Sequence, residues 1–314
     1  MDMFEVKDIA PMLIGAEEAA FDDEDYIYEL KLDGVRCIVY ADGEYLEIRN
    51  KRNVRLLPKF PELNGIQKQI KKKCILDGEL YIFKNGRTDF SEIQRRALMN
   101  GGSFKTELLA KKLPASFTAF DVLYCDGEDI TKKPLMERKK ILDKLIREND
   151  RITISRYIEN DGIALYNLTK EKDLEGIVAK KKDSKYFFGK RTKEWIKCKN
   201  MIEIDYVITG YIHKDNNMVS LVLGLYDGKK LIYKGHATLG ASLSYVRDHS
   251  KVAGGCPFNE IPEGNERANW IQPHLVGTVK FMEFTASGGM RQPVFKGYRD
   301  DKKPIDCTIK QIKY

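Results

Sequence analysis

Apolar and polar positions alternate over much of the chain, in runs punctuated by turn signals. In "VRCIVYADGEYLEIRN" two β-rich runs flank Asp42-Gly43, a favoured two-residue hairpin turn. "GELYIFKNGRTDF" repeats the pattern around Asn85-Gly86, and "FTAFDVLYCDGED" carries a strand into Asp126-Gly127. Helical periodicity takes over in "PLMERKKILDKLIREN", where Leu135, Leu142, Leu145 and Ile146 share a face and Pro134 suits the first turn. Hairpins mixed with helices predict an α+β fold with largely antiparallel sheet. The character changes around Lys199-Asn200-Met201. From "DYVITGYIHKD" onward come short strands, "MVSLVLGLY", "KLIYKGHATLG" and "TVKFMEFTA", with a turn at Asp227-Gly228 and one helical stretch, "SLSYVRDH". Such a series predicts a five-stranded β-barrel of the OB type. The expected domains are therefore 1–201 and 202–314.

A length of 314 residues suits two domains, and 42% hydrophobic with 32% charged residues suits soluble, well-cored ones. No run approaches the roughly 20 apolar residues of a membrane span, and "MDMFEVKDIAPMLIG" lacks the pattern of a signal peptide. The cysteines, at 37, 74, 125, 198, 256 and 307, form no CxxC pair. That predicts reduced thiols and a cytoplasmic location, and excludes a zinc ribbon. The four histidines show no metal-ligand spacing. Of the net charge of +7, residues 203–314 carry +3 (15 Lys and Arg against 12 Asp and Glu), leaving +4 for 1–202. Both halves are mildly basic, which permits a polyanionic partner without requiring one.

Candidate chemistry begins at Glu29-Leu30-Lys31-Leu32-Asp33-Gly34-Val35-Arg36, after the acidic "FDDEDY". Lys31 is either an ordinary surface lysine or a nucleophile, since Lys-x-Asp-Gly-x-Arg alone arises by chance in roughly one of a few hundred chains this long. Asp77-Gly78-Glu79-Leu80, read as an acidic pair before a strand, suits a sugar hydroxyl, a metal or a simple turn. Phe120-Asp121, read as a strand end, offers a core phenylalanine or a ring that stacks on a purine. Glu175-Gly176-Ile177-Val178-Ala179-Lys180 is an apolar strand with opposite charges at its ends. In Trp195-Ile196-Lys197-Cys198-Lys199, strand alternation puts Trp195, Lys197 and Lys199 on one face and Ile196 and Cys198 on the core face. Adjacent lysines repel unless an anion lies between them, so a phosphate is one economical explanation and a solvated edge strand the other. The runs Lys71-Lys72-Lys73 and Lys180-Lys181-Lys182 read as solvated element ends, Lys180 excepted.

Taken in order, Lys31, Glu79, Phe120, Glu175 and Lys197/Lys199 resemble the motifs of the covalent nucleotidyltransferase superfamily, which comprises ATP-dependent DNA ligases, RNA ligases and mRNA capping enzymes. The tail "GMRQPVFKGYRDDK", with Arg291, Pro293, Phe295, Arg299, Asp300, Asp301 and Lys302, resembles the last OB-domain motif of ATP-dependent DNA ligases. "EGIVAKKKDSKYFFGKRTKEWIKCK" is similar to the ligase module of bacterial end-joining ligases and their small stand-alone relatives. The resemblance runs from Pro11-Met12-Leu13 to Lys302.

It implies a nucleotidyltransferase domain followed by an OB-fold barrel, joined by a hinge at 198–206. Lys31 would attack the α-phosphate of ATP, hold AMP as a phosphoramidate, and pass it to the 5′-phosphate of a nick that the 3′-hydroxyl then seals. Glu29 and the backbone at Leu30 would read the adenine amino group, with Phe120 stacked on the ring. Arg36 and Glu79 would hold ribose; Arg49, in "IRNKR", and the set Lys180, Lys197 and Lys199 would contact phosphate. Glu79 and Glu175 would bind Mg2+ (or Mn2+), and Arg299 and Lys302 would orient pyrophosphate. An ordinary lysine is deprotonated at only about one part in a few thousand at neutral pH. Cationic neighbours such as Arg36, Lys197, Lys199 and bound magnesium would therefore help, and Asp33 would oppose. The implied enzyme is a minimal monomeric ligase acting on nicked double-stranded DNA. Its grip would come from basic faces, or from "HSKVAGGCPFNEIPEGNE" becoming ordered on the duplex. An RNA ligase, a capping-type enzyme and a non-catalytic OB nucleic-acid-binding protein are the alternatives.

Overall fold

The computed structural model describes residues 2–84, 86–102, 104–214, 218–239, 243–285 and 288–312. Asn85 of the expected Asn85-Gly86 turn, Gly240 of "KLIYKGHATLG" and Ser242 of "SLSYVRDH" lie outside them. The chain divides into two units, Met1–Asn200 and Met201–Tyr314.

Strands of the first unit are β1 (Leu13–Glu17), β2 (Tyr26–Leu30), β3 (Val35–Asp42), β4 (Tyr45–Asn50), β5 (Cys74–Lys84), β6 (Arg87–Thr88), β7 (Ala115–Cys125), β8 (Glu128–Asp129), β9 (Ile152–Ile154), β10 (Tyr157–Glu159), β11 (Gly176–Lys181) and β12 (Arg191–Lys199). Its helices are α1 (Met3–Val6), α2 (Phe90–Leu98), α3 (Phe104–Lys112), α4 (Leu135–Leu145) and α5 (Gly162–Glu171). A five-stranded sheet runs β1-β12-β11-β2-β10, and a seven-stranded sheet runs β4-β3-β5-β7-β8 with β6 on β5 and β9 on β7. The two sheets bury a shared core. Ile38, Tyr40, Ile75 and Leu123 of the larger sheet cluster with Val178 and Trp195 of the smaller one. Burying side chains of this size stabilises by roughly 1.5–3 kcal/mol each, which fixes the spacing of the cleft between the sheets.

Turn chemistry acts where expected, with a slip of one residue at two sites. Asp42 pairs with Tyr45, so the loop is Gly43-Glu44, and Asp227 pairs with Lys230, so that loop is Gly228-Lys229. At Asp126-Gly127 both residues have positive φ, 54° and 91°, as a type I′ hairpin requires. In α4, Pro134 takes the cap position, and Ile146 is extended beyond the helix though still buried. The buried face of α4 carries Arg138 and Lys139 alongside Leu135, Leu142 and Leu145, which the apolar period did not reveal. Two motif placements also differ. Asp77-Gly78-Glu79 lies inside β5, and Phe120-Asp121 lies mid-strand in β7. Trp195 faces the inter-sheet core, while Ile196 and Cys198 face a second core with Tyr28, Ile177 and Ala179 beneath α5. Both faces of β12 are therefore covered at that point.

The second unit contains β13 (Ile202–His213), β14 (Val219–Asp227), β15 (Lys230–Leu239), α6 (Ser244–His249), β16 (Asn269–Phe281) and β17 (Val294–Tyr298). The strands close a barrel in the order β13-β14-β15-β17-β16, the ring of an OB-fold, sealed by the parallel pair Thr238 and Val294. The segment between α6 and β16 is tied to the barrel already. Val252 bridges Ile271, Phe258 enters the barrel core, and Asn265 Oδ1 lies 2.8 Å from His236 Nε2. Ordering on DNA is therefore not needed to structure it. Among the described residues no helix is long and apolar enough to cross a membrane.

Candidate active site

The smaller sheet sets charged residues of β2 and β12 on either side of β11. Glu29 of β2 lies opposite Val178 of β11, which lies opposite Lys197 of β12. Two residues on, the chain leaves β2 at Lys31, whose backbone N–H donates to Gly176 O at 2.9 Å, while Gly176 pairs with Lys199. Lys31, Glu175 and Lys199 thus gather at one end of adjacent strands. The Lys31 ammonium donates to Glu175 Oε2 at 2.7 Å.

Gly34 owes its place to space. A Cβ there would lie 2.3 Å from the Leu80 carbonyl oxygen and 3.0 Å from Glu79 Cγ. Only glycine lets the Lys31 loop settle against the β5 backbone beside Glu79. Gly176, at φ 129° and with a would-be Cβ 2.1 Å from Cys198 O, does the same where β11 meets β12.

Like charges crowd this cleft. Burial pushes the Glu79 carboxyl up to about 8; Lys31 and Arg36 oppose the rise, and Glu175 and Asp77 add to it. Burial also raises Glu175, against Lys31 and with Asp33 contributing. Burial lowers the Lys199 ammonium, assisted by Lys197 and Lys31 and opposed by Glu175. Two carboxylates that burial disfavours as anions, one of them already on an amine, form a donor set that a cation would relieve. No group of three or more His, Cys, Asp or Glu side chains converges among the described residues. The fit is to a hard cation that keeps waters and takes phosphate oxygens with one or two carboxylates, as Mg2+ does.

The remaining candidates fall into three groups. Arg36 lies opposite Glu79 across β3 and β5, but its guanidinium forks onto fully buried Asp77, at 3.0 and 2.6 Å, and lies 5.2 Å from the Phe120 ring centroid. Phe120 meets Trp195 edge-on, with centroids 5.9 Å apart. Lys180, expected beside the phosphate lysines, is instead 2% exposed, 4.3 Å from each of those two rings and 3.0 Å from Glu29. It belongs with Glu29 and Phe120, at the other end of β11 from Lys31. Leu30 pairs with Ile177 and is 39% exposed.

Lys197 reaches Glu17 of β1 at 3.1 Å, and Arg49 is held by Glu47 and Asn53. In the second unit Asp205 of β13 accepts from Lys302 at 2.8 Å and Arg299 at 3.2 Å. Sequence reasoning missed the supports: Asp77 under Arg36, Lys139 on Glu29, Asp205 under the tail motif, and the buried fork of Arg138 on Asp121.

The comparisons agree on one family. The model for the ATP dependent DNA ligase domain matches residues 11–199, and that for the ATP dependent DNA ligase C terminal region matches 214–302. The SPbeta prophage-derived DNA ligase-like protein LigB of Bacillus subtilis is 31% identical over 292 residues, 93% of this chain and 99% of that protein. The multifunctional non-homologous end joining protein LigD of Mycolicibacterium smegmatis is 30% identical across 96% of this chain, which spans 40% of that longer protein. Among solved structures, mycobacterial DNA ligase D complexed with ATP and MES matches with a TM-score of 0.57 and 25% identity, covering 98% of this chain and 99% of that one. With both parts of the chain matched and the lysine, carboxylates and paired lysines converging in the first, this protein belongs to the ATP-dependent DNA ligase family.

Proposed function

We propose that this ligase works through a covalent AMP adduct on Lys31, formed in domain 1–201 and helped by the OB-fold domain 202–314. The supporting observation is the position of the Lys31 amine, 2.7 Å from Glu175 and in the field of Glu79 and Lys199. Once free of its proton, the amine gives its lone pair to the α-phosphorus of ATP. The bond to the β-phosphate oxygen breaks, and pyrophosphate leaves with that electron pair. The nick's 5′-phosphate then displaces Lys31 from AMP, and the 3′-hydroxyl finally displaces AMP to join the strand. Phosphoryl transfer of this kind rests on positioning and on neutralising charge.

The residues divide those tasks. Glu29 and the Leu30 backbone read the adenine amino group, Phe120 stacks on the ring, and Lys180 lies at this base end. Arg36 and Glu79 hold the ribose. Lys197 and Lys199 grip the α-phosphate, with Arg49 as a further phosphate contact. Glu79 and Glu175 would hold Mg2+ (or Mn2+), which supplies charge neutralisation on the phosphates. Arg299 and Lys302 orient pyrophosphate when the OB-fold domain closes about a hinge at 198–206. The enzyme acts as a monomer in the cytoplasm on nicked double-stranded DNA.

Two nicked duplexes test this, one with a 5′-phosphate and one already carrying AMP. Lys31→Ala should lose all ATP-driven sealing of the first yet still seal the second. Sealing of the 5′-phosphate nick by Lys31→Ala would refute the reading. Sealing of nicked RNA in preference to nicked DNA would turn it toward an RNA ligase.

A further inference from the structure

Beside Phe120 the structure buries a polar cluster drawn from four parts of the chain. Glu29 of β2, 2% exposed, accepts from Ser155 Oγ at 2.7 Å and from Lys180 of β11 at 3.0 Å. Its other oxygen meets the ammonium of Lys139 of α4, itself 4% exposed and 5.8 Å from the Tyr157 ring centroid. One cation would neutralise one carboxylate. Two cations and a hydroxyl are more than neutrality asks, and burying an extra lysine is costly unless it has a task.

The nucleotide chemistry suggests that task. A 6-amino purine presents N–H donors, which an ionised carboxylate accepts. A 6-oxo purine presents an acceptor, which faces that carboxylate with no donor between them, so the purine oxygen gains no partner from Glu29. A protonated carboxyl would reverse the preference by donating to the 6-oxo oxygen. We propose that Lys139 is a positioning residue for nucleobase choice, which keeps Glu29 an ionised acceptor and so makes the site take a 6-amino purine and refuse a 6-oxo purine. This rests on the assignment of Glu29 to the adenine amino group.

The electrostatics run the same way. Burial raises Glu29, but Lys139 and then Lys180 outweigh it and hold the carboxyl below its ordinary value. Lys180 is itself pushed down to about 8, by burial first, with Glu29 opposing and Lys139 assisting. Lys180 alone is thus a poor guarantor just above neutrality. The groups facing Glu29 are Lys139 from α4, Lys180 from β11, Ser155 ahead of β10 and Tyr157 across from it in β10; Asp121 of β7 acts on Lys180.

The test is protein labelling by α-labelled ATP and ITP, between about pH 5.5 and about pH 7, below the range where Lys180, at about 8, titrates. The wild type should show an ATP-to-ITP ratio that is flat with pH. Lys139→Met should lower that ratio about tenfold or more at the acid end, and the ratio should climb with pH as Glu29 ionises. Lys139→Gln, which keeps a donor but no charge, should do the same if the methionine variant fails to fold; Lys139→Arg should restore the wild-type ratio. An unchanged ratio in the folded Met and Gln variants, or equal loss with both nucleotides, overturns the proposal. Glu29→Gln separates the two claims: if it leaves the ratio alone, Glu29 does not read the base and the proposal falls with that assignment. If it shifts the ratio and Lys139→Met does not, only the role of Lys139 falls.

Discussion

At the scale of single residues, the cleft is a contest between burial and charge. Glu79 shows it best, pushed to about 8 by burial, with Glu175 and Asp77 adding to the rise, from an ordinary value of 4.5. A carboxyl raised by folding favours the fold while protonated. Its contribution is complete below about pH 4.5, shrinks as pH rises, and is gone above about pH 8. In metal-free buffer Glu79→Gln should therefore match the wild-type Tm near pH 4.5 and exceed it by several degrees near pH 8. Equal melting curves at both ends would show that Glu79 is not strained as an anion. The candidate site residues were readable because their order along the chain is distinctive even where each motif is weak. The residues behind them were not. Lys139 and Arg138 look like solvated charges by helical periodicity, Asp77 reads only as half of an acidic pair, and a partner elsewhere in the chain makes each a core residue.

At the scale of elements, close backbone approach and buried ion pairs set the geometry. Adding a Cβ at Gly34 would meet the Leu80 carbonyl at 2.3 Å, and backbone cannot step aside as a flexible side chain can. Gly34→Ala should cost roughly 1–3 kcal/mol in urea unfolding and slow labelling by ATP more than it slows sealing of a pre-adenylylated nick. Unchanged stability and labelling would contradict that packing. Helix α4 is bound to β7 by the Arg138 fork on Asp121, at 2.8 and 2.9 Å with both side chains fully buried. Arg138→Met should destabilise by about 3–5 kcal/mol, because buried Asp121 loses both bonds of its guanidinium fork. Removing both charges, in Arg138→Met with Asp121→Asn, should recover part of the loss. The longer strands, β3, β4, β5, β7 and β13 to β16, and most turns were legible from alternation and from Asp-Gly or Gly-containing loops, whereas β1, β2, β9, β10 and β17 were not read. The single-residue slips at Gly43 and Gly228 were not, since register is chosen by which face the neighbouring strands bury. The mid-strand places of Asp77 and Phe120 escaped for the same reason: both faces of β5 and β7 are covered, so alternation fades.

At the scale of the whole molecule, the ligase carries a net +7 over two units and must hold a phosphate backbone. Affinity for a nicked duplex should fall steeply and linearly on a log–log plot against salt, and a flat response would contradict phosphate-based binding. The barrel contributes the tail motif, whose Arg299 and Lys302 share one carboxylate, Asp205, on its first strand. Composition and turn signals revealed that barrel; Asp205 stayed hidden because an acid near the start of an apolar strand has no distinguishing pattern. The covalent adduct on Lys31 is open to peptide mass mapping of the protein after incubation with ATP and Mg2+. One added AMP, released by pyrophosphate, should be found on the peptide that contains Lys31. An adduct on any other residue, or one formed from GTP and not from ATP, would contradict it.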